Sequence, residues 1–147
     1  MKFKIIPNEQ TPKVNLTEAI DINKDHKLFE KFLSFARRQR NCTGLAANQV
    51  SLDGERVMKS FFAIKTDRFW DMIINPEILK YSDEKEVKIE GCLTWLGKQL
   101  TVERFNYIDV CYYNLQGTYI ERSISGFEAQ VWQHEYDHLM GVEEKFV

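Results

Sequence analysis

The chain has 147 residues, 20 Lys and Arg against 22 Asp and Glu for a net charge of −2, and 44% apolar residues. That length suffices for one domain with its own core and no disulfide staples, and the interspersed charges leave neither a basic face for nucleic acid nor a polybasic patch for a membrane. No apolar run approaches the roughly 18 residues of a membrane helix, the start MKFKIIPNEQTP lacks the apolar stretch of a secretory signal, and Cys42, Cys92 and Cys111 are irregularly spaced, so one domain over 1–147 in the reducing cytoplasm is expected.

In chain order, Leu28, Phe29, Phe32, Leu33, Phe35 and Ala36 recur at helical spacing with basic residues opposite, which predicts an amphipathic helix from Asp25 to about Gln39. A small, polar stretch, CTGLAANQ, follows, then an Asp53-Gly54 turn and two short apolar runs, FFAIKT and DMIINPEIL. Both read as strands, and Pro76 in the second favours an edge or a strand end, because proline has no N–H for a ladder. IDVCYY and TYIERSI flank Asn114-Leu115-Gln116-Gly117, a hairpin signal with a glycine free to take positive φ. Ser125 with Glu128 three residues on predicts a capping box, and Gly141 a helix stop, so a second helix of about 14 residues is expected between them.

That helix carries His134-Glu135-Tyr136-Asp137-His138. At i, i+4 spacing the imidazoles share one face with a carboxylate beside them, an H-E-x-x-H pattern suited to a divalent metal and a general base. A tetrahedral catalytic site takes three protein ligands and keeps one position open. From the residues alone, two candidates exist for the third. Glu144 completes H-E-x-x-H-x-x-G-x-x-E, close to a metalloprotease layout, although only three residues follow it. Cys92, in Glu90-Gly91-Cys92-Leu93-Thr94, offers a thiolate beside a glycine that permits close backbone approach.

Three blocks stand in order: Thr43-Gly44-Leu45-Ala46-Ala47-Asn48-Gln49, then Glu90-Gly91-Cys92-Leu93-Thr94, then Gln133-His134-Glu135-Tyr136-Asp137-His138-Leu139. Together they resemble the three motifs of the peptide deformylases, the second written E-G-C-L-S/T and the third Q-H-E-x-D-H-L for that family. IIP near the start, IINPEIL, Val102, Arg104 and Gly141 extend the resemblance over nearly the whole chain. Cys42 and Thr43 replace a glycine and an apolar residue of the first motif, implying a stiffer, more polar loop. Leu96, after Trp95, replaces a common proline, implying a modified pocket rim. The nine residues after His138 match compact members that lack a C-terminal helix.

The resemblance implies an α+β fold: short, mostly antiparallel sheets around the C-terminal motif helix, with the first helix packed outside. It implies metal ligands Cys92, His134 and His138, with Glu135 as general base and then acid. The Gln49 amide and the Leu93 N–H would stabilise the oxyanion. Glu90 and Arg104 would form an ion pair behind Cys92, with Asp137 able to orient an imidazole, hold the helix or stand as an exposed helix carboxylate. Gly44, Gly91 and Thr43 would meet the peptide, and Phe127 and Val131 a methionine side chain. One divalent ion per chain is implied, Fe(II) in the cell with zinc or nickel as isolated, acting on N-formyl-methionyl peptides from nascent chains at the ribosome. No nucleic acid or membrane partner and a monomeric state are expected. The enzyme alternative is an endopeptidase using Glu144, and the non-catalytic one a relative that only binds formyl peptides.

Overall fold

The structure is a computed structural model that describes residues 1–16 and 20–146. The first helix, α1 (Ile22–Arg37), begins three residues before the predicted start, because Asp21 caps it by accepting from the N–H groups of Asn23 and Lys24 at 3.1 Å each. Its apolar stripe is buried through Phe29, Phe32 and Ala36, while His26 is half-buried and pairs with Glu30 one turn on.

Ten strands are present among the described residues: β1 (Phe3–Ile5), β2 (Gly44–Ala46), β3 (Val50–Leu52), β4 (Glu55–Arg56), β5 (Phe61–Thr66), β6 (Phe69–Tyr81), β7 (Lys85–Glu90), β8 (Leu100–Phe105), β9 (Tyr107–Tyr113) and β10 (Tyr119–Ser125). The second helix, α2 (Gly126–Met140), follows. All strand pairs are antiparallel, in sheets ordered β1-β3-β4, β10-β9-β6-β5-β2 and β7-β8. The α+β architecture is the one expected. Asp53 and Gly54, at φ 50° and 91°, make the β3–β4 turn, and the predicted hairpin is β9–β10, with Gly117 at φ 82°.

The five-stranded sheet explains why FFAI reads as an unbroken apolar run. Successive side chains of β5 point to opposite faces: Phe61 and Ala63 join a core with Phe29, Phe32 and Ala36 of α1, and Phe62 and Ile64 one with Ala129, Val131 and Trp132 of α2. Both faces are dry, so no polar alternation is needed.

Two local expectations are corrected. Pro76 lies in β6, the middle strand of five rather than an edge. The register with β9 shifts between Ile74 and Glu77, with Asn75 at φ 51°; this bulge takes Pro76 out of the ladder, so its missing N–H costs no hydrogen bond. The Ser125–Glu128 capping box does not form: Ser125 is the N-cap residue but its side chain caps nothing. Glu128 instead accepts from Arg122 Nη2 at 2.8 and 3.0 Å and from Thr66 Oγ1 at 3.3 Å, charge-assisted bonds stronger than one to a neutral backbone N–H. No helix among the described residues is long and apolar enough to cross a membrane.

Candidate metal centre

The motif helix is held at both ends and along its sides. It stops at Gly141, which takes a left-handed φ of 70° and approaches so closely that an added Cβ would sit 2.8 Å from the Lys13 nitrogen. Gln133 donates from Nε2 to the Phe105 and Ala129 carbonyls and accepts from the Phe105 N–H, tying α2 to β8. Asn48 donates to the carbonyls of His138 at 2.6 Å and Pro12 at 2.8 Å. Buried backbone carbonyls need such partners, and these bonds fix the height and rotation of the helix.

On the face so positioned, the Nε2 atoms of His134 and His138 stand 3.2 Å apart and Cys92 Sγ lies 3.3 Å from His138 Nε2. The outer nitrogens are already committed. Glu90 Oε1 lies 2.7 Å from His134 Nδ1, and Thr11 Oγ1 and Glu144 Oε1 are each 3.3 Å from His138 Nδ1. With N–H groups turned outward, both Nε2 lone pairs and the sulfur face one small volume. A proton or a cation among the donors relieves the repulsion of that arrangement, and its edges match the roughly 3.3 Å nitrogen–nitrogen separation of a tetrahedron with bonds near 2.0–2.1 Å. The donor set therefore fits a borderline divalent metal.

One donor atom each from Cys92, His134, His138 and Glu144 falls within 4.8 Å of the others. The carboxylate of Glu144, however, meets His138 at Nδ1, the nitrogen turned away from His134. It is Cys92 that shares the inner volume with both imidazoles, which removes the geometric basis of the Glu144 endopeptidase reading.

The electrostatics divide the two rings. Burial and the neighbouring charge of His134 hold the His138 imidazole well below its usual range. Burial opposes charge on His134 as well, but its bonds to Cys92 and Glu90 outweigh that and raise it. Glu90 is a buried carboxyl held down at about 2: burial works against its charge, and His134 and Arg104 overcome it. Arg104 donates to both Glu90 oxygens, from Nε at 3.1 Å and Nη2 at 2.7 Å, and from Nη1 to Asp137 at 2.6 Å. The predicted Glu90–Arg104 pair is thus present, and Asp137 is its third member rather than a partner of an imidazole.

Glu135 is raised to about 7, first by burial, with His134 acting in the opposite direction. Its Oε1 is buried without a hydrogen-bond partner among the described residues. Beside it, a Cβ on Gly44 would lie 2.6 Å from Glu135 Oε2 and 2.9 Å from Val131 Cγ1, so a side chain there would displace the Glu135 carboxylate. Gln49 is 2% exposed; its Oε1 accepts from the Ala46 N–H at 2.8 Å, which aims its Nε2 at Thr94 Oγ1, 3.0 Å away, and Cys92 Sγ, 3.4 Å away.

These groups open into a cavity of about 400 Å³ lined by Thr43, Gly44, Gln49, Gly91, Cys92, Leu93, Phe127, Val131, His134 and Glu135, with Cys42 and Leu96 also on its wall. Leu93 heads a 3-10 turn, Leu93–Trp95, where N–H groups lack partners within the turn. An added Cβ on Gly91 would meet nothing within 4 Å, leaving open space beside its backbone. Phe127 is 60% exposed on the rim, not core, whereas Val131 is both core and cavity wall. Cys42, pushed up to about 12 chiefly by burial, donates its thiol proton to the Gly44 carbonyl and braces the loop. Leu96 is 75% exposed. Thr11 carries no pattern in the sequence, and Asn48 is legible only as the neighbour of Gln49.

Fold and site together present an H-E-x-x-H helix whose two histidines stand with a cysteine in a group that could hold a metal ion. The sequence pattern of the family described as Polypeptide deformylase matches residues 8–143. Among relatives, the peptide deformylase of Aquifex aeolicus is 36% identical over 145 residues, covering 94% of this chain and 81% of that protein. That of Thermotoga maritima is 41% identical over 99 residues, covering 67% of this chain but only 57% of its own length. The crystal structure of the deformylase from the Vibrio parahaemolyticus bacteriophage VP16T, in complex with actinonin, superposes with a TM-score of 0.79 at 28% identity, covering 95% of this chain and 98% of that one. The chain belongs to the polypeptide deformylase family.

Proposed function

We propose that this chain hydrolyses the formamide of N-terminal formyl-methionine in peptides, releasing formate and a free amine. The observation that supports this most directly is the buried, unpartnered Glu135 oxygen beside the inward-facing Cys92, His134 and His138 donors. A divalent ion held there supplies Lewis-acid activation of water and polarisation of the formyl oxygen. Glu135 takes a proton from the attacking water and passes it to the departing amine nitrogen; a carboxyl near 7 suits both halves of that transfer. As the formyl carbon becomes tetrahedral, Gln49 Nε2 and the Leu93 N–H donate to the developing oxyanion.

The peptide lies extended along the backbone of Thr43, Gly44 and Gly91, and its methionine side chain enters the slot walled by Phe127 and Val131, a flexible, polarisable group in an apolar site. Nascent chains are the natural source of such peptides, the protein acts as a monomer in the cytoplasm, and Fe(II) is the working ion, with zinc and nickel as substitutes compatible with the same thiolate and imidazole donors. Formate release from formyl-Met-Ala-Ser by protein loaded with Fe(II), Ni(II) or Zn(II) tests the reading; no turnover with any of them overturns it.

A further inference from the structure

His134 has an evident support in Glu90, while nothing in the deformylase motifs names a counterpart for His138. The structure supplies two, and both come from outside the three motif blocks. Thr11 Oγ1 donates its single hydrogen to the His138 carbonyl at 3.0 Å, so toward His138 Nδ1, 3.3 Å away, that oxygen can only accept. Glu144 Oε1, on a side chain only 9% exposed, is also 3.3 Å from Nδ1, whose own side chain is fully buried.

Neither acceptor sits there by accident of a loose terminus. The Glu144 N–H donates to Gln10 Oε1 at 3.0 Å, and Gln10 Nε2 donates back to the Val142 carbonyl at 2.6 Å. The Thr101 N–H donates to the Lys145 carbonyl at 3.0 Å, and Phe146 bridges Leu100 and packs on Trp95 with ring centres 4.9 Å apart. The segment after α2 is therefore stitched to the N-terminal segment and to β8, with Glu144 turned inward behind the ring.

We propose that Glu144 and Thr11 are positioning residues for the metal ligand His138: Thr11 accepts from its Nδ1–H and the Glu144 carboxylate stands within ion-pair reach of the same nitrogen, which favours the tautomer that turns the Nε2 lone pair toward Cys92 and His134. The carboxylate in addition makes the ring a stronger donor, as such partners do for metal-bound imidazoles. This rests on the ligand set proposed above. It gives the residue that completes H-E-x-x-H-x-x-G-x-x-E a role one shell removed from that of a ligand.

The test is Zn(II) affinity by chelator competition, with the absorption spectrum of the Co(II)-substituted protein as the coordination readout. Glu144→Ala is expected to bind zinc about 10- to 100-fold more weakly while keeping the cobalt–thiolate band unchanged. Glu144→Gln, which retains an uncharged acceptor, should recover part of the loss. Thr11→Val should weaken binding and Thr11→Ser restore it, and this pair decides the matter if Glu144→Ala fails to fold. Parent-like zinc affinity in both Glu144→Ala and Thr11→Val overturns the proposal. So does a cobalt spectrum of Glu144→Ala that has lost one donor, since Glu144 would then be a ligand. Cys92→Ala separates the two readings: if it binds zinc as the parent does, the ligand set itself is wrong.

Discussion

α1 and α2 are nearly equal in length, 16 and 15 residues, and lie on opposite faces of the same five-stranded sheet, yet they bury opposite kinds of surface. α1 presents an apolar stripe to a core rich in edge-to-face aromatic pairs, with Phe29–Phe61 and Phe32–Phe61 ring centres 5.1 and 5.0 Å apart, and leaves its charges in water. α2 is covered on most sides and buries Gln133, His134, Glu135 and His138 together with Val131 and Trp132. The first stabilises by removing apolar area from water. The second needs partners for its polar atoms, because an unpaired buried group costs about 1–3 kcal/mol, and they come from separate segments of chain, among them Thr11, Asn48, Glu90 and Phe105. On α2 the unpartnered side-chain atoms among the described residues are Trp132 Nε1 and Glu135 Oε1, and of these two residues only Glu135 lines the cavity.

If this division is right, damage to the two helices should be separable. The largest effect is expected from His138→Ala or Cys92→Ala, with metal content by mass spectrometry falling to trace and formate release dropping by roughly 10³-fold or more, since the activation of water is lost. A variant that kept full metal would break the contrast at its root. Next, Glu135→Gln should retain the metal and lose roughly 10²–10⁴-fold in kcat; loss of metal along with rate would show that Glu135 helps hold the ion.

On the other face, Phe32→Ala removes a fully buried ring and should lower unfolding free energy in urea by about 3–5 kcal/mol, with metal stoichiometry of the folded fraction unchanged. Glu90→Gln falls between the two regions. It leaves the Arg104 guanidinium, 6% exposed in its side chain, with Asp137 alone, and should cost about 3 kcal/mol. It should also alter the acid limb. Because the folded Glu90 titrates at about 2 against about 4.3 in the unfolded chain, its contribution is present above the unfolded value and lost as pH falls toward 2. Acid unfolding of metal-free Glu90→Gln should lack that slope. The smallest effect is Asp21→Ala, a lost N-cap at the start of α1 worth about 1 kcal/mol, measurable as a lowered urea midpoint and invisible in metal binding.

Much of this was legible before any coordinates. Phe29, Phe32 and Ala36 recur with the helical period, Asn114 to Gly117 turn a hairpin, and Gly141 stops α2 at its left-handed φ; each is a local preference acting over a few residues. The resemblance of the three blocks names Gln49, Cys92 and the histidine pair together, and the structure brings Gln49, Cys92 and His134 to one cavity wall, with His138 3.2 Å from His134. The capping box at Ser125 was misread because Glu128 has a better partner in Arg122, a choice that local pattern cannot weigh. Pro76 was misplaced for a similar reason, since a bulge is a property of two strands and not of one.

What the sequence by itself determined is the set of short-range geometries: two imidazoles one helical turn apart and a carboxylate between them. The i, i+4 spacing imposes those whatever surrounds the helix. The block resemblance already points to Cys92 as the third donor; the tertiary structure supplies the geometric reason, because Cys92 and Glu144 reach the histidines from separate segments and chain closure, not spacing, turns Cys92 to Nε2 and Glu144 to Nδ1. Only the tertiary structure decided that Thr11, with no motif around it, stands behind His138. Burial is what gives these contacts their weight: away from water, a lone pair or a proton has only the partners the fold brings to it.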